Sequence, residues 1–122
     1  MTYAWIIAGA AVGAPLRYFV GTRFNIASDA FPWWTFTINI TGCFAIGLLL
    51  GLAEERDFLS REARLLLVTG LLGSYTTFSA FGWETYDLLR NEDILRAALY
   101  AGGSVAFGVV ATFVGVAIAR VT

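Results

Sequence analysis

The stretch Thr69-Gly70-Leu71-Leu72-Gly73-Ser74-Tyr75-Thr76-Thr77-Phe78-Ser79-Ala80-Phe81 interrupts a hydrophobic segment with two glycines, five serine and threonine hydroxyls and two phenylalanines. A helix built only to cross lipid would place leucine at most of these positions. Glycine weakens a helix, and each hydroxyl needs a partner where water is absent. The pattern predicts a helix interrupted near Gly73-Ser74. Irregular backbone of that kind survives at membrane depth only when it is buried in protein or lines a cavity.

The surrounding composition places this stretch in a membrane. The chain has 122 residues, 58% hydrophobic and 14% charged, against roughly 45–50% and about 25% for soluble domains. Charge-free runs lie before Arg17, from Ala30 to Ala53, from Leu65 to Trp83 and from Ala97 to Ala119. About 20 apolar residues cross the hydrocarbon as a helix, so the expectation is a single all-α domain of four transmembrane helices. They are expected over about 3–21, 33–53, 63–90 with a break near 73–78, and 94–120. A continuous helix from Ala63 to Arg90 would run about 42 Å at 1.5 Å per residue, beyond the roughly 30 Å hydrocarbon core. A break would absorb the excess.

With no histidine and one cysteine, the usual catalytic triads, disulfide frameworks and His/Cys metal sites are excluded from a single chain. Cys43 reads as helix packing. No enzyme activity and no nucleic-acid partner are expected. The first apolar segment is followed by small residues, as in a signal peptide, but no positively charged region precedes it. It reads as a retained helix.

In helix 1, Gly9 and Gly13 stand four apart and would admit a close helix neighbour. Pro15 would kink the far end. Arg17 has two readings: an interface anchor, or a guanidinium lining an aqueous vestibule that attracts anions. Gly21 to Pro32 is expected to be a loop, and Trp33-Trp34 to mark the membrane interface. Helix 2 carries Thr35, Asn39, Cys43, Gly47 and Gly51 on one face. The Asn39 amide serves either as inter-helix glue or as a pore-lining donor to an anion, and spacing does not separate the two. Its match to a glycosylation sequon is accidental at midspan.

The Glu54–Glu62 stretch is a solvated mixed-charge turn, and Asn91–Asp93 a short polar one. On helix 4, Tyr100, Ser104, Gly108 and Thr112 fall at four-residue intervals. They form a polar line, or equally a helix–helix seam.

Alternating spans place Arg56, Arg61, Arg64 and Arg120 on one side and Arg17, Arg23, Arg90 and Arg96 on the other, which accounts for all eight basic residues. The positive-inside rule then gives no preferred orientation. A chain inserting both ways can pair as an antiparallel, dual-topology homodimer with its axis in the membrane plane.

Freed carbonyls near Gly73-Ser74 would be ligands for a hard cation such as sodium. Phe78 and Phe81, three apart, share a face. Most such pairs simply pack, but the positive ring edge can also meet an anion. No lysine is available at midspan, so an anion would pass along neutral donors, which suits fast conduction.

At these residues the chain resembles the small bacterial fluoride channels, the Fluc or CrcB family. The likeness covers essentially the whole chain, through Gly13-Ala14-Pro15-Leu16-Arg17-Tyr18, Thr37-Ile38-Asn39-Ile40-Thr41-Gly42 and Gly70 to Phe81. The resemblance implies a dual-topology homodimer in the bacterial inner membrane, with two fluoride pores and a central structural sodium ion (Na+). Fluoride formed when hydrogen fluoride ionises inside the cell would leave passively, driven by the membrane potential.

Carried over by position, the Gly73 and Thr76 carbonyls would hold sodium, and Phe78 and Phe81 would face fluoride. Asn39, Thr77, Ser79, Tyr100 and Ser104 would complete the pore, with Arg17 and Glu84 at the vestibule. Two departures stand out: bulky Tyr75 where the family often has a small residue, and Gly108 where a further serine can occur. The main rival is a proton-coupled small multidrug transporter, which needs a carboxylate deep in a span. Helix 1 has none before Arg17, and Glu84 alone comes near.

Overall fold

A computed structural model describes residues 1–24 and 31–122, all of whose regular elements are helical. The loop expected over Gly21 to Pro32 falls largely on residues 25–30, outside the described residues. Among the described residues, four helical stretches are long and apolar enough to cross a membrane: Thr2–Arg23, Trp33–Arg56, Arg61–Arg90 and Ile94–Val121. We label the first, second and last of these α1, α2 and α6.

The third stretch is composite. It opens with an α-helical turn, α3 (Arg61–Arg64), and widens into π-type turns over Leu65–Leu72. It tightens again in a short α4 (Gly73–Tyr75) and resumes as α5 (Phe78–Arg90). Between α4 and α5, Thr76 (φ −83°, ψ 159°) and Thr77 (φ −149°, ψ 112°) have extended backbone.

The ends of these elements follow ordinary capping chemistry. Ser60 accepts from the Ala63 N–H at 3.1 Å at the start of α3. Asp93 accepts from the Arg96 N–H at 3.2 Å at the start of α6. The same carboxylate takes a hydrogen bond from the Arg96 guanidinium, which lowers its pKa below the usual value. Asp57 ends α2 in the left-handed region, and Glu92 turns the chain between α5 and α6 with φ 59°.

Two pairings organise the bundle: α2 along α6, and α1 along the π-type segment and α4. Both depend on missing side chains. A β-carbon on Gly9 would sit 2.1 Å from the Leu66 carbonyl oxygen, and one on Gly115 would sit 2.4 Å from that of Phe44. Packing of this kind replaces the hydrophobic effect as the force between helices in lipid. Most large apolar side chains on the outer faces, including Phe107, Phe113 and Leu99, are exposed.

Candidate functional site

The extended pair Thr76–Thr77 is held by side chains that take over the work of the helix ladder. In a continuous α-helix the Thr77 N–H would bond the Gly73 carbonyl, and the Ala80 N–H the Thr76 carbonyl. Here the Thr77 N–H goes to Asn39 Oδ1 at 2.9 Å, and Asn39 Nδ2 donates back to the Thr77 carbonyl at 3.1 Å. The Ala80 N–H goes to Thr77 Oγ1 at 3.2 Å, an N-cap that starts α5. Both diversions leave a carbonyl without its helical donor, at Gly73 and at Thr76.

Glycine makes the approach of α2 feasible. A β-carbon on Gly42 would lie 2.3 Å from the Thr76 Cγ2 methyl. Upstream, Thr76 keeps α4 closed, its N–H and its hydroxyl both bonding the Leu72 carbonyl.

Tyr75 also has a defined place. It is 7% exposed and packs with Ile38 and Leu72, and its hydroxyl lies 2.8 Å from Thr41 Oγ1. Thr41 spends its one proton on the carbonyl of Thr37 at 2.7 Å, so its lone pair receives the Tyr75 proton. The bulky ring thus pins α4 to α2.

Beside the extended pair lies a cavity of about 390 Å³. Seven of the residues singled out in the sequence line it: Asn39, Gly73, Thr76, Thr77, Phe78, Phe81 and Ser104. Ser104 Oγ is buried and has no hydrogen-bond partner among the described residues. Phe78 and Phe81 have ring centroids 5.6 Å apart, and Phe81 lies 5.1 Å from Tyr100. Their exposures differ sharply: Phe78 is 83% exposed, whereas Phe81 packs against the buried cluster of Leu88, Ala97 and Tyr100.

The other candidates lie around this cavity rather than on its wall. Ser79 is exposed, its hydroxyl 3.4 Å from that of Thr77. Arg17, half-buried on α1, donates from Nη1 to the Thr76 carbonyl at 3.5 Å. Glu84 accepts from Tyr100 at 2.7 Å through Oε2 and from Thr35 at 2.5 Å through Oε1, joining α5 to α6 and α2. Tyr100 is fully buried and Thr35 is 3% exposed.

Thr35 is the polar residue that sequence reasoning left in a packing face. The signal was there, because Thr35 lies one helical turn before Asn39 on the same side of α2. At the other end of the polar line, the Thr112 hydroxyl bonds the carbonyls of Cys43 and Gly108, and so ties α6 to α2.

Comparison with known proteins settles what kind of chain builds this site. The family described as CrcB-like protein, Camphor Resistance (CrcB), matches residues 4–116. The chain belongs to the CrcB family. Among curated relatives, a "Fluoride-specific ion channel FluC" of Chloroflexus aurantiacus is 49% identical over 119 residues, covering 94% of this chain and 92% of the relative. Proteins of the same name from Hyphomonas neptunium and Allorhizobium ampelinum are 48% and 42% identical. They cover 92% and 95% of this chain, and 90% and 94% of their own lengths. With its four spans, this CrcB-family chain is a multi-pass bacterial membrane protein, and its relationships are to ion channels rather than enzymes.

Proposed function

We propose that this chain is a fluoride-selective channel that passively exports cytoplasmic fluoride, as an antiparallel homodimer with two pores and a structural sodium ion. The observation that carries the reading is the 49% identity, over 94% of the chain, to a protein named for fluoride-specific conduction. The cavity beside the extended pair supports it with chemistry suited to a small anion.

A strongly hydrated anion enters a pore only if its lost water is replaced, and leaves only if no single contact is too strong. Asn39 has two amide hydrogens. One is spent on the Thr77 carbonyl, and the second remains for an anion, so the amide acts as glue and as pore donor at once. The Ser104 hydroxyl, without a partner among the described residues, is another neutral donor on the same cavity. The rings of Phe78 and Phe81 can offer positive edges. Glu84, with Thr35 and Tyr100 bound to its two oxygens, orders the α5 end of the route.

The extended Thr76–Thr77 pair is the break in the third span, at mid-membrane in this reading. The carbonyls of Gly73 and Thr76, lacking their helical donors, fit a hard cation that prefers oxygen ligands. Bound sodium would supply a positive charge that holds two such breaks together. The exposed Phe78 ring and the even division of arginines across the spans favour an antiparallel second copy at this face.

The test is fluoride efflux from proteoliposomes under an imposed potential, with chloride as control. Rapid fluoride loss with chloride retained is expected. A verified dimer that passes no fluoride would sink the channel reading, and proton uptake coupled to a cationic drug would support the transporter instead.

A further inference from the structure

Among the described residues Arg17 has one hydrogen-bond partner, a carbonyl released by the extended pair. Its Nη1 donates to the Thr76 oxygen at 3.5 Å. Among the described residues no carboxylate lies within ion-pair distance of this guanidinium. The side chain is half-buried, so its charge is only partly screened by water.

The position of Arg17 is set by the crossing of α1 over α4. A β-carbon on Gly13 would lie 2.0 Å from Ser74 Oγ and 2.2 Å from the Leu71 carbonyl oxygen. This contact holds the α1 backbone one turn before Arg17 directly against the residues that lead into the extended pair. A full positive charge is therefore held beside the Thr76 oxygen, one of the two offered to a cation.

We propose that Arg17 is a built-in competitor for the Thr76 carbonyl, a positioning residue that sets how tightly the Gly73 and Thr76 oxygens hold sodium. This deepens the function proposed above and rests on its sodium site. A carbonyl has two lone pairs, so the guanidinium and a cation can share the oxygen without a steric conflict. Their like charges nevertheless repel, and strongly so where water is scarce. The coupling is reciprocal: sodium loosens Arg17 from Thr76, and removal of the Arg17 charge tightens sodium. Without sodium, the guanidinium satisfies the Thr76 carbonyl and keeps the extended pair from being left with an orphaned acceptor. With sodium, its N–H donors are released toward the vestibule, where they can attract anions.

The experiment is a sodium titration of the thermal unfolding of the purified full chain, at constant ionic strength maintained with a large organic cation. It compares the unaltered protein with Arg17→Lys, Arg17→Gln and Arg17→Met, the last serving if the Gln variant does not purify. The sodium concentration giving half of the stabilisation is expected to fall on the order of 10-fold in the neutral variants, and to stay near the unaltered value in Arg17→Lys. Fluoride efflux should then need correspondingly less sodium in the neutral variants. Equal sodium midpoints in all four proteins would overturn the inference and leave Arg17 an interface anchor. Absence of any sodium effect would overturn the sodium site itself, and this inference with it, whereas the channel reading is judged separately by the fluoride flux.

Discussion

Asn39 grips Thr77 by both of its backbone groups, accepting from the N–H at 2.9 Å and donating to the carbonyl at 3.1 Å. One side chain on α2 thus supplies what a full turn of helix would otherwise provide. Asn39→Asp keeps the acceptor for the N–H but sets an oxygen against the Thr77 carbonyl. Leaving that carbonyl without a donor is expected to cost about 1–3 kcal/mol, and the cavity loses the remaining amide hydrogen of Asn39. Efflux should fall sharply, with a lowered melting temperature. Unchanged values of both would mean that Asn39 serves neither role.

Thr77 caps α5 through its hydroxyl, and by doing so keeps the Ala80 N–H away from the Thr76 carbonyl. Thr77→Ala is expected to lose about 1 kcal/mol, while Thr77→Ser retains the cap and most of the stability. The alanine variant also lets the Ala80 N–H return to Thr76, so its sodium midpoint should rise. Thermal unfolding at graded sodium distinguishes the two substitutions.

Glu84 receives two hydroxyl hydrogen bonds, one on each oxygen. Glu84→Gln retains one acceptor and turns a donor toward the other hydroxyl, which should cost about 1–3 kcal/mol and slow fluoride efflux. Tyr100→Phe likewise removes one of the two bonds and leaves Oε2 without its donor, so a loss of similar size is expected. If fluoride efflux were the same in all three proteins, Glu84 would be a structural tie between α5, α6 and α2 with no part in conduction.

Tyr75 contributes through its ring more than through its hydroxyl. Tyr75→Phe gives up the bond to Thr41 and should lose about 1 kcal/mol with efflux retained. Tyr75→Ala empties a buried site and should lose about 3–5 kcal/mol. Melting temperatures of the two variants, measured side by side, test the ranking.

Gly9 lies where α1 crosses the π-type turns, and a β-carbon there would meet main-chain oxygen at 2.1 Å. Backbone does not yield as a flexible side chain does. Gly9→Ala is expected to cost on the order of 1–3 kcal/mol, or to prevent recovery of folded protein. A melting temperature equal to that of the unaltered chain would show that α1 can move away freely.

Four helical spans were legible in the sequence because the hydrocarbon core imposes one length and one polarity on anything that crosses it. The oddity of the Thr69–Phe81 stretch was legible for the same reason, since glycine and hydroxyl residues are costly there unless something uses them. What no spacing rule could decide was the partner of each polar group. Asn39 finds the backbone of Thr77, Arg17 finds the carbonyl of Thr76, and Glu84 finds Thr35 and Tyr100. Each of these pairs joins residues far apart in the chain, and the Arg17 and Asn39 contacts depend on crossings that admit no β-carbon at Gly13 and Gly42. Patterning along one chain reports which face of a helix is polar. Which atoms meet on that face is decided by the angle and depth at which the helices cross, and those are set only when all the packing contacts form together.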